Sequence, residues 1–163
     1  MYKRQDIHGF LTTHQLPSTY AETAQKWFTP LCEQLLKHQD GATQPFIVGI
    51  NGSQGSGKST LTSFIESFLT SVHNKKVVSL SIDDFYYDQS QRNALAIKVH
   101  PLLATRGVPG THDIPLALNT FRSLEKGTRT SLPRFNKATD NPFPKEQWPV
   151  IESSPCLLYT SDA

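Results

Sequence analysis

The feature that most constrains the fold of this chain is a glycine-rich segment in its first third. The segment matches the pattern G-x-x-x-x-G-K-[ST] in full, as Gly52-Ser53-Gln54-Gly55-Ser56-Gly57-Lys58-Ser59. With the glycine, lysine and hydroxyl-residue content of this chain, about 0.006 matches would arise by chance. A continuous apolar run, Phe46–Ile50, precedes the segment, and apolar residues at helical spacing follow it from Leu61 to Val72. The sequence therefore predicts a strand, a tight turn and a helix in that order.

The residue types in this turn predict polyphosphate binding. Glycines let backbone N–H groups approach phosphate oxygens without an intervening Cβ, and the helix N-terminus adds unpaired donors and the positive end of its dipole. Lys58 is expected to reach the β- and γ-phosphates of a nucleotide as a catalytic cation, and the Ser59 hydroxyl to ligate Mg²⁺. The predicted nucleotide-binding residues are Gly52, Ser53, Gln54, Gly55, Ser56, Gly57, Lys58, Ser59 and Thr60.

A second apolar run, Val77–Ile82, predicts another buried strand. Two such strands joined by a helix indicate a parallel pair with a crossover connection, and hence an α/β fold. Asp83 and Asp84 follow the carboxyl end of the second strand, where open α/β sheets bind their ligands. We assign Asp83 as the catalytic base and as a metal ligand. Asp84 is a candidate for acceptor or metal binding, with capping of the following turn as its alternative role.

Two later segments supply further candidates for binding a small anionic or polyhydroxylated acceptor. The turn-rich segment Arg106–Asp113 leads into a helix, for which Asp113 is also a suitable N-cap. The segment Pro133–Lys137 places two positive charges beside an aromatic ring. The predicted acceptor-binding residues are Asp84, Tyr86, Arg106, His112, Asp113, Arg134 and Lys137, and packing is the alternative role of Tyr86.

Several other classes of protein are disfavoured. A GTPase would normally carry a base-reading Asn-Lys-x-Asp motif, whereas Asn136-Lys137-Ala138-Thr139 ends in threonine. The net charge is +2 without a basic run, so we expect no nucleic-acid or membrane partner. The longest apolar run is far shorter than the roughly 20 residues of a membrane span, and no signal-peptide core follows Met1. Cys32 and Cys156 are isolated and are expected to be reduced thiols of a cytoplasmic protein.

The remaining segments predict the organisation of the chain. Residues 1–17 are expected to form an arm, followed by a helix that Ser18 or Thr19 caps and that Pro30 interrupts. Further helices are predicted over Gln89–Val99 and from Asp113 to about Glu125, and Thr128–Pro149 is expected to be loop. We therefore divide the chain into an N-terminal arm and helix (1–44) and an α/β nucleotide-binding domain (45–163).

Four segments together resemble a known family. They read Gly-Ile-Asn-Gly-Ser-Gln-Gly-Ser-Gly-Lys-Ser-Thr, Ser-Ile-Asp-Asp-Phe-Tyr, Arg-Gly-Val-Pro-Gly-Thr-His-Asp and Pro-Arg-Phe-Asn-Lys-Ala. This order is similar to that of the D-glycerate 3-kinase group and its bacterial relatives, within the P-loop superfamily of uridine kinase, phosphoribulokinase and pantothenate kinase. The resemblance covers about Pro45 to Ile151. It implies a mostly parallel sheet flanked by helices, ATP as donor, Mg²⁺, a small hydroxylated acceptor such as D-glycerate, and Asp83 as the catalytic aspartate.

The chain also departs from the family pattern. Asn136 stands where the family usually carries aspartate. The family continues after Trp148-Pro149-Val150-Ile151 with a strand, a Phe-Glu-Gly-Trp-like motif and a lid, whereas Cys156–Ala163 does not resemble that strand. The resemblance therefore implies the N-terminal part of a kinase domain. The open alternatives are a uridine- or pantothenate-type kinase and an ATP-binding module without turnover.

Overall fold

The computed structural model describes residues 4–152 and 156–162, with side chains for residues 6–152. The helices are α1 (Arg4–Thr13), α2 (Tyr20–Thr23), α3 (Thr29–Asp40), α4 (Lys58–His73), α5 (Gln89–Lys98) and α6 (Ile114–Glu125). The strands are β1 (Ile47–Gly52), β2 (Val77–Ser81), β3 (Thr130–Ser131), β4 (Phe135–Asn136), β5 (Asn141–Pro142), β6 (Val150–Ile151) and β7 (Cys156–Asp162). Among the described residues, no helix combines the length and the apolar character needed to cross a bilayer.

The described residues form two compact units. The first contains residues 4–79 together with β7, and the second contains residues 80–152. The predicted order of strand, turn, helix and strand is confirmed by β1, α4 and β2. The helices predicted over Gln89–Val99 and from Asp113 to Glu125 are confirmed by α5 and α6, each within one residue at either end.

The main sheet has the strand order β1-β7-β2. β7 runs parallel to β1, with Ile47 opposite Leu157 and Gly52 opposite Asp162. The expectation that β1 and β2 are direct neighbours is therefore wrong, because β7 lies between them. β7 continues through the polar residues Thr160, Ser161 and Asp162 beyond the apolar run at its start. Parallel pairing uses backbone N–H and C=O groups, so a polar stretch can continue a strand when a partner is available.

The core of the first unit is formed mainly by one face of α4. The residues Phe64, Ile65, Phe68 and Leu69 are almost fully buried there. Ile7, Phe10 and Leu11 of α1 are also buried in this core, and the Phe10 ring packs edge-on against Phe64 at 5.1 Å between centroids. Residues 1–17 were expected to form an arm, but α1 instead contributes one apolar face to the core. The overall polarity of the segment concealed the helical spacing of those three side chains.

The helix that was predicted to follow residue 18 is divided into three parts. After α2, the residues Ala24–Phe28 form a π-helical turn, and α3 begins at Thr29 with Pro30 in its first turn. Proline is tolerated there because the first N–H groups of a helix have no partner within the helix. The π-helical turn thus joins α2 to α3 without a gap, and Pro30 falls in the first turn of α3.

β1 is covered on one face, whereas the sequence predicted a strand buried on both. Val48 and Ile50 pack against the core of the first unit, while Ile47 is 41% exposed. Cys32 of α3 is fully buried in the same core as a free thiol, and burial raises its pKa to about 12. A thiol that stays protonated at neutral pH is a poor nucleophile, so Cys32 has a packing role.

The second unit is organised by capped helix starts and short strand pairs. Asp88 caps α5 in a reciprocal capping box with Gln91, and Asp113 caps α6 by accepting the N–H of Leu116 at 2.9 Å. The predicted loop at 128–149 contains β3, β4 and β5 instead of being wholly irregular. β3 pairs antiparallel with β6, and β4 pairs antiparallel with β5. Phe85, Leu124 and Phe135 are among its buried side chains.

If α1 belongs to the core, Phe10→Ala should lower the free energy of unfolding by about 3–5 kcal/mol, the usual loss for a buried aromatic side chain. His8→Ala is the matched control, because His8 lies on the exposed face of the same helix. Urea unfolding followed by circular dichroism measures both changes. Equal stability of the two variants would contradict the assignment of α1 to the core.

Candidate functional site

The glycine-rich turn lies between β1 and α4, where its backbone adopts conformations that need glycine. Gly55 and Gly57 have φ angles of 78° and 88°, in the left-handed region. A Cβ at Gly52 would lie 2.8 Å from Ser56 Oγ, so a larger residue would clash. Glycine at these positions therefore allows a tight loop whose backbone has no Cβ at the points of closest approach, as a phosphate cradle requires.

Lys58 and Ser59 occupy the first turn of α4. The Lys58 ammonium donates hydrogen bonds to the carbonyls of Gly52 at 2.7 Å and Ser53 at 2.8 Å, which folds the side chain back over the loop. Ser59 is exposed. Backbone donors, a helix N-terminus and an ammonium group over the same loop are a donor set that fits a polyphosphate. The residues of the predicted nucleotide site are thus brought together in the first unit.

Asp84 is the most extensively bonded carboxylate of the second unit. Its two oxygens accept the backbone N–H of Ser81 at 2.9 Å, the backbone N–H of Phe135 at 3.3 Å and Arg134 Nη1 at 3.2 Å. Ser81 in turn accepts the N–H of Asp83, which completes a capping box around the turn Ile82–Phe85. Burial raises the pKa of Asp84, against the lowering effect of these donors and of Arg134. Asp84 therefore ties this turn to β4, in line with the capping role considered from the sequence.

Asp83 has a different environment, although it is the adjacent residue. Its side chain is 16% exposed and makes an ion pair of 2.5 Å with the ammonium of Lys137, whose own side chain is 65% exposed. Tyr86 is hydrogen-bonded to the Asp83 carboxylate through its hydroxyl, which also accepts the backbone N–H of Gly107. Burial and the negative charge of Asp83 raise the pKa of Tyr86. Asp83 is thus about as exposed as Asp84 (15%) but differs from it in its partners, which are one exposed cation and one tyrosine hydroxyl.

His112 and Asp113 lie behind this carboxylate. The His112 ring stacks on Tyr86 at 4.2 Å between centroids, and its Nε2 is buried without a hydrogen-bond partner among the described residues. Burial lowers the pKa of His112, which keeps the imidazole neutral at pH 7. Asp113 donates its N–H to Phe85 O at 2.7 Å and caps α6 through its side chain. Both residues therefore hold the Arg106–Asp113 segment against the turn that carries Asp83.

Arg106 approaches the same region from the other end of its segment. Its guanidinium lies over the ring of Phe135 at 5.3 Å, and its Nε is 2.8 Å from Asp140 Oδ1. Asp140 also pairs with Arg92, a residue of α5 that is fully buried. Sequence reasoning did not find Arg92 or Asp140, because they are 48 residues apart and neither is part of a recognisable local pattern.

A cavity of about 640 Å³ opens in the second unit, and Asp83, Arg106 and Lys137 are not part of its lining. Three of the predicted acceptor-binding residues line it, namely Asp84, Tyr86 and Asp113. Phe143 and Trp148 are aromatic residues of the same lining. Its volume lies within the ordinary range of small-molecule sites.

The predicted residues thus form two groups, one in each unit. The nucleotide-binding candidates, residues 52–60, are in the first unit, and the acceptor-binding candidates with Asp83 are in the second. Among the described side chains, no three or more His, Cys, Asp or Glu residues gather into a metal-binding cluster. A hydroxyl and carboxylates are nevertheless the oxygen ligands that Mg²⁺ prefers. Ser59 and Asp83 therefore stay predictions as metal ligands.

Comparison with known proteins places this geometry in a family. Residues 47–160 match the model of the phosphoribulokinase / uridine kinase family, a span that includes the glycine-rich turn, the acidic pair and most of β7. The tail, which was expected not to resemble the family, is thus matched as far as residue 160.

Three relatives of similar sequence carry different names. An uncharacterized kinase, mug58, of Schizosaccharomyces pombe is 41% identical over 99 residues, which are 58% of this chain and 35% of the relative. The chloroplastic D-glycerate 3-kinase of Arabidopsis thaliana is 32% identical over 127 residues, 71% of this chain and 28% of that protein. A pantothenate kinase of Streptococcus gordonii is 32% identical over 94 residues, 57% of this chain and 29% of its own length. The chain spans about a third of the length of these relatives.

A solved structure supports the fold. The D-glycerate 3-kinase of Cryptococcus neoformans superimposes with a TM-score of 0.67 at 24% sequence identity, over 86% of this chain and 52% of that one. The glycine-rich turn, its flanking β1 and α4, and the match over residues 47–160 lead to one assignment. The chain belongs to the phosphoribulokinase / uridine kinase family and has the α/β fold of its P-loop kinases.

Proposed function

We propose that the protein carrying this chain transfers the γ-phosphoryl group of ATP to a hydroxyl of a small hydroxy acid, with D-glycerate as the first candidate. The observation that carries this proposal is the environment of Asp83. Its carboxylate is partly accessible, hydrogen-bonded to Tyr86, and paired with a lysine that is mostly in solvent. Arginines 106 and 134 belong to the same group of side chains. A base surrounded by cations suits an acceptor that carries both a hydroxyl and a carboxylate.

In the proposed reaction Asp83 accepts the proton of the acceptor hydroxyl. The hydroxyl oxygen forms a bond to the γ-phosphorus, and the bond from that phosphorus to the β–γ bridging oxygen breaks, which releases ADP. Tyr86 fixes the direction of the Asp83 carboxylate through its hydrogen bond. Lys137 would exchange Asp83 for an oxygen of the anionic acceptor when the acceptor binds.

On the donor side, the backbone N–H groups of residues 52–57 would hold the phosphates and Lys58 would neutralise charge on the β- and γ-phosphates. Lys58 would exchange its two loop carbonyls, Gly52 O and Ser53 O, for phosphate oxygens. Mg²⁺, when bound, would offset the charge of the triphosphate, with the Ser59 hydroxyl as one ligand and Asp83 as a second. The site residues present fit this role by ligand type.

Pantothenate is the second candidate acceptor, for two reasons. The cavity of about 640 Å³ is large for a three-carbon acid and has the aromatic side chains Phe143 and Trp148 in its lining. Several relatives of this chain are named pantothenate kinases. Pantothenate, like glycerate, combines a hydroxyl with a carboxylate, so the charge argument applies to both.

Substitution of Lys58 by alanine should weaken Mg-ATP binding at least tenfold and remove most of the thermal stabilisation by Mg-ATP, because the loop loses its side-chain cation. Lys37→Ala is the control, since Lys37 is an exposed lysine of α3 in the same unit. Differential scanning fluorimetry across an ATP titration measures both. An unchanged shift in the Lys58 variant would remove the basis for assigning the loop to ATP.

Substitution by asparagine should have different effects at the two adjacent aspartates. Asp83→Asn should lower kcat by about 10²–10⁴-fold with little change in the KM for ATP, as expected for loss of a positioned base. Asp84→Asn should mainly lower the free energy of unfolding, by about 1–3 kcal/mol, because buried N–H donors and Arg134 lose an acceptor. Steady-state kinetics and urea unfolding are measured for both variants. The opposite pattern would show that the two roles are reversed.

The acceptor is identified by coupled ADP release with a panel of D-glycerate, pantothenate and uridine. Turnover with the two acids and none with uridine is expected, because uridine lacks a carboxylate for the cationic groups. Preference for uridine would contradict the assignment of a hydroxy acid. Lys58-dependent ATP binding without turnover of any acceptor would support an ATP-binding module instead.

A further inference from the structure

The second unit contains an ion-pair network that the proposed reaction does not use directly. Arg92 of α5 is fully buried, and its Nη2 donates to Asp140 Oδ2 at 2.6 Å and to the Asp140 backbone carbonyl at 3.2 Å. Its Nε and Nη1 have no hydrogen-bond partner among the described residues. A buried guanidinium with a single carboxylate partner contributes little net stability, because its desolvation offsets the attraction. Stability alone therefore does not explain the pair.

The conformation of Asp140 indicates that it is held in place from several sides. Its φ angle is 57°, in the left-handed region, which aspartate tolerates better than most side chains but which still carries strain. Arg92 donates hydrogen bonds to both the backbone carbonyl and the side chain of this residue. These two hydrogen bonds, both from Arg92 Nη2, restrict the direction in which the remaining carboxylate oxygen, Oδ1, points.

That remaining oxygen points to Arg106. The distance from Asp140 Oδ1 to Arg106 Nε is 2.8 Å, and the contact is an ion pair rather than an aligned hydrogen bond. On its other side the Arg106 guanidinium lies over the Phe135 ring at 5.3 Å. A carboxylate at one edge and an aromatic face below restrict the plane and the position of the guanidinium. The contact engages Nε, one of the nitrogens that carry its five N–H donors.

The restricted arginine is next to the groups assigned to catalysis. The backbone N–H of Gly107, the next residue, donates to the Tyr86 hydroxyl, and Tyr86 is hydrogen-bonded to Asp83. Phe135 also packs edge-on against Tyr86 at 5.5 Å between centroids. Contacts therefore connect Arg92, Asp140 and Arg106 to the environment of Asp83 without a break.

We propose that Asp140 is a positioning residue that orients Arg106 to receive the carboxylate of the acceptor, with buried Arg92 as its anchor. This inference rests on the proposed function, since it names which cation binds the acid group. Arginine is suited to the task because its terminal N–H groups can grip a carboxylate in a bidentate manner once the plane of the guanidinium is fixed. Asp140 itself touches neither the acceptor nor the nucleotide.

The test uses Asp140→Asn, which keeps the size of the side chain and its tolerance of the left-handed backbone while removing the charge. We expect the KM for D-glycerate, and for pantothenate where it is turned over, to rise about tenfold. The values of kcat and of the KM for ATP should stay within about twofold of the parent. The matched control is Asp40→Asn, which removes another aspartate from an ion pair, with Lys75, in the first unit. It should change none of these constants.

Asp140→Asn leaves the buried charge of Arg92 without its partner. An effect on folding therefore has to be separated from an effect on the position of Arg106. The double variant Arg92→Met with Asp140→Asn removes that charge and should recover thermal stability while its KM for the acid stays raised. In an Arg106→Ala background, Asp140→Asn should cause no further rise in this KM, because its effect passes through Arg106. Recovery of the parental KM in the double variant, or full additivity with Arg106→Ala, would overturn the proposal.

A second readout does not depend on turnover. In ¹H–¹⁵N spectra, the Arg106 Nε–H signal of the parent should be shifted from that of an exposed arginine by the neighbouring Asp140 carboxylate and Phe135 ring, and Asp140→Asn should move it towards the exposed value. An unchanged signal would contradict the positioning by Asp140, whatever the kinetics. Absence of turnover with every acid would contradict the proposed function, while this signal would still decide whether Asp140 holds Arg106.

Discussion

The second unit depends on one partly buried carboxylate, that of Asp84, whose side chain is 15% exposed. It accepts two backbone N–H groups and one guanidinium, and these donors come from the end of β2, from β4 and from the residue before β4. Segments 50 residues apart in sequence are thereby fixed to each other. Leaving such donors without an acceptor in the protein interior would be costly, which is why a single side chain can determine the local fold. The position of Asp83, and so of the proposed base, follows from this anchoring.

Two adjacent aspartates acquire different properties from their surroundings alone. Asp84 is saturated with fixed donors, and burial is the main influence on its pKa. Asp83 points to a tyrosine hydroxyl and to a lysine that solvent reaches. A carboxylate whose partners are all fixed cannot exchange them during a reaction without disturbing the fold. A carboxylate whose cationic partner is exposed to solvent can accept a proton or contact a ligand. Asp83 is therefore the better suited of the two aspartates for chemistry.

Local patterns explain what the sequence could predict. The turn with Gly55 and Gly57, the helix it opens, and the cap at Asp113 all depend on residues within a few positions of one another. The place of β7 in the sheet and the burial of α1 depend on distant partners, so no local pattern encodes them. The same holds for Arg92 and Asp140, which lie 48 residues apart and form the network behind Arg106. Sequence reasoning could name the residues of local motifs, whereas Arg92 and Asp140 became visible only through their contact in the fold.

The charges of the second unit bear on the kind of acceptor it can bind. In the described ion pairs around Asp83, Asp84 and Asp140, four cations meet three carboxylates, because Asp140 is shared by Arg92 and Arg106. His112 adds no charge at pH 7, since burial lowers its pKa. Arg92 is inaccessible, so the accessible positive charge lies at Arg106, Arg134 and Lys137, whose side chains are 30%, 30% and 65% exposed. An anionic acceptor would complete this balance, whereas a neutral acceptor would leave a partly desolvated cation without compensation.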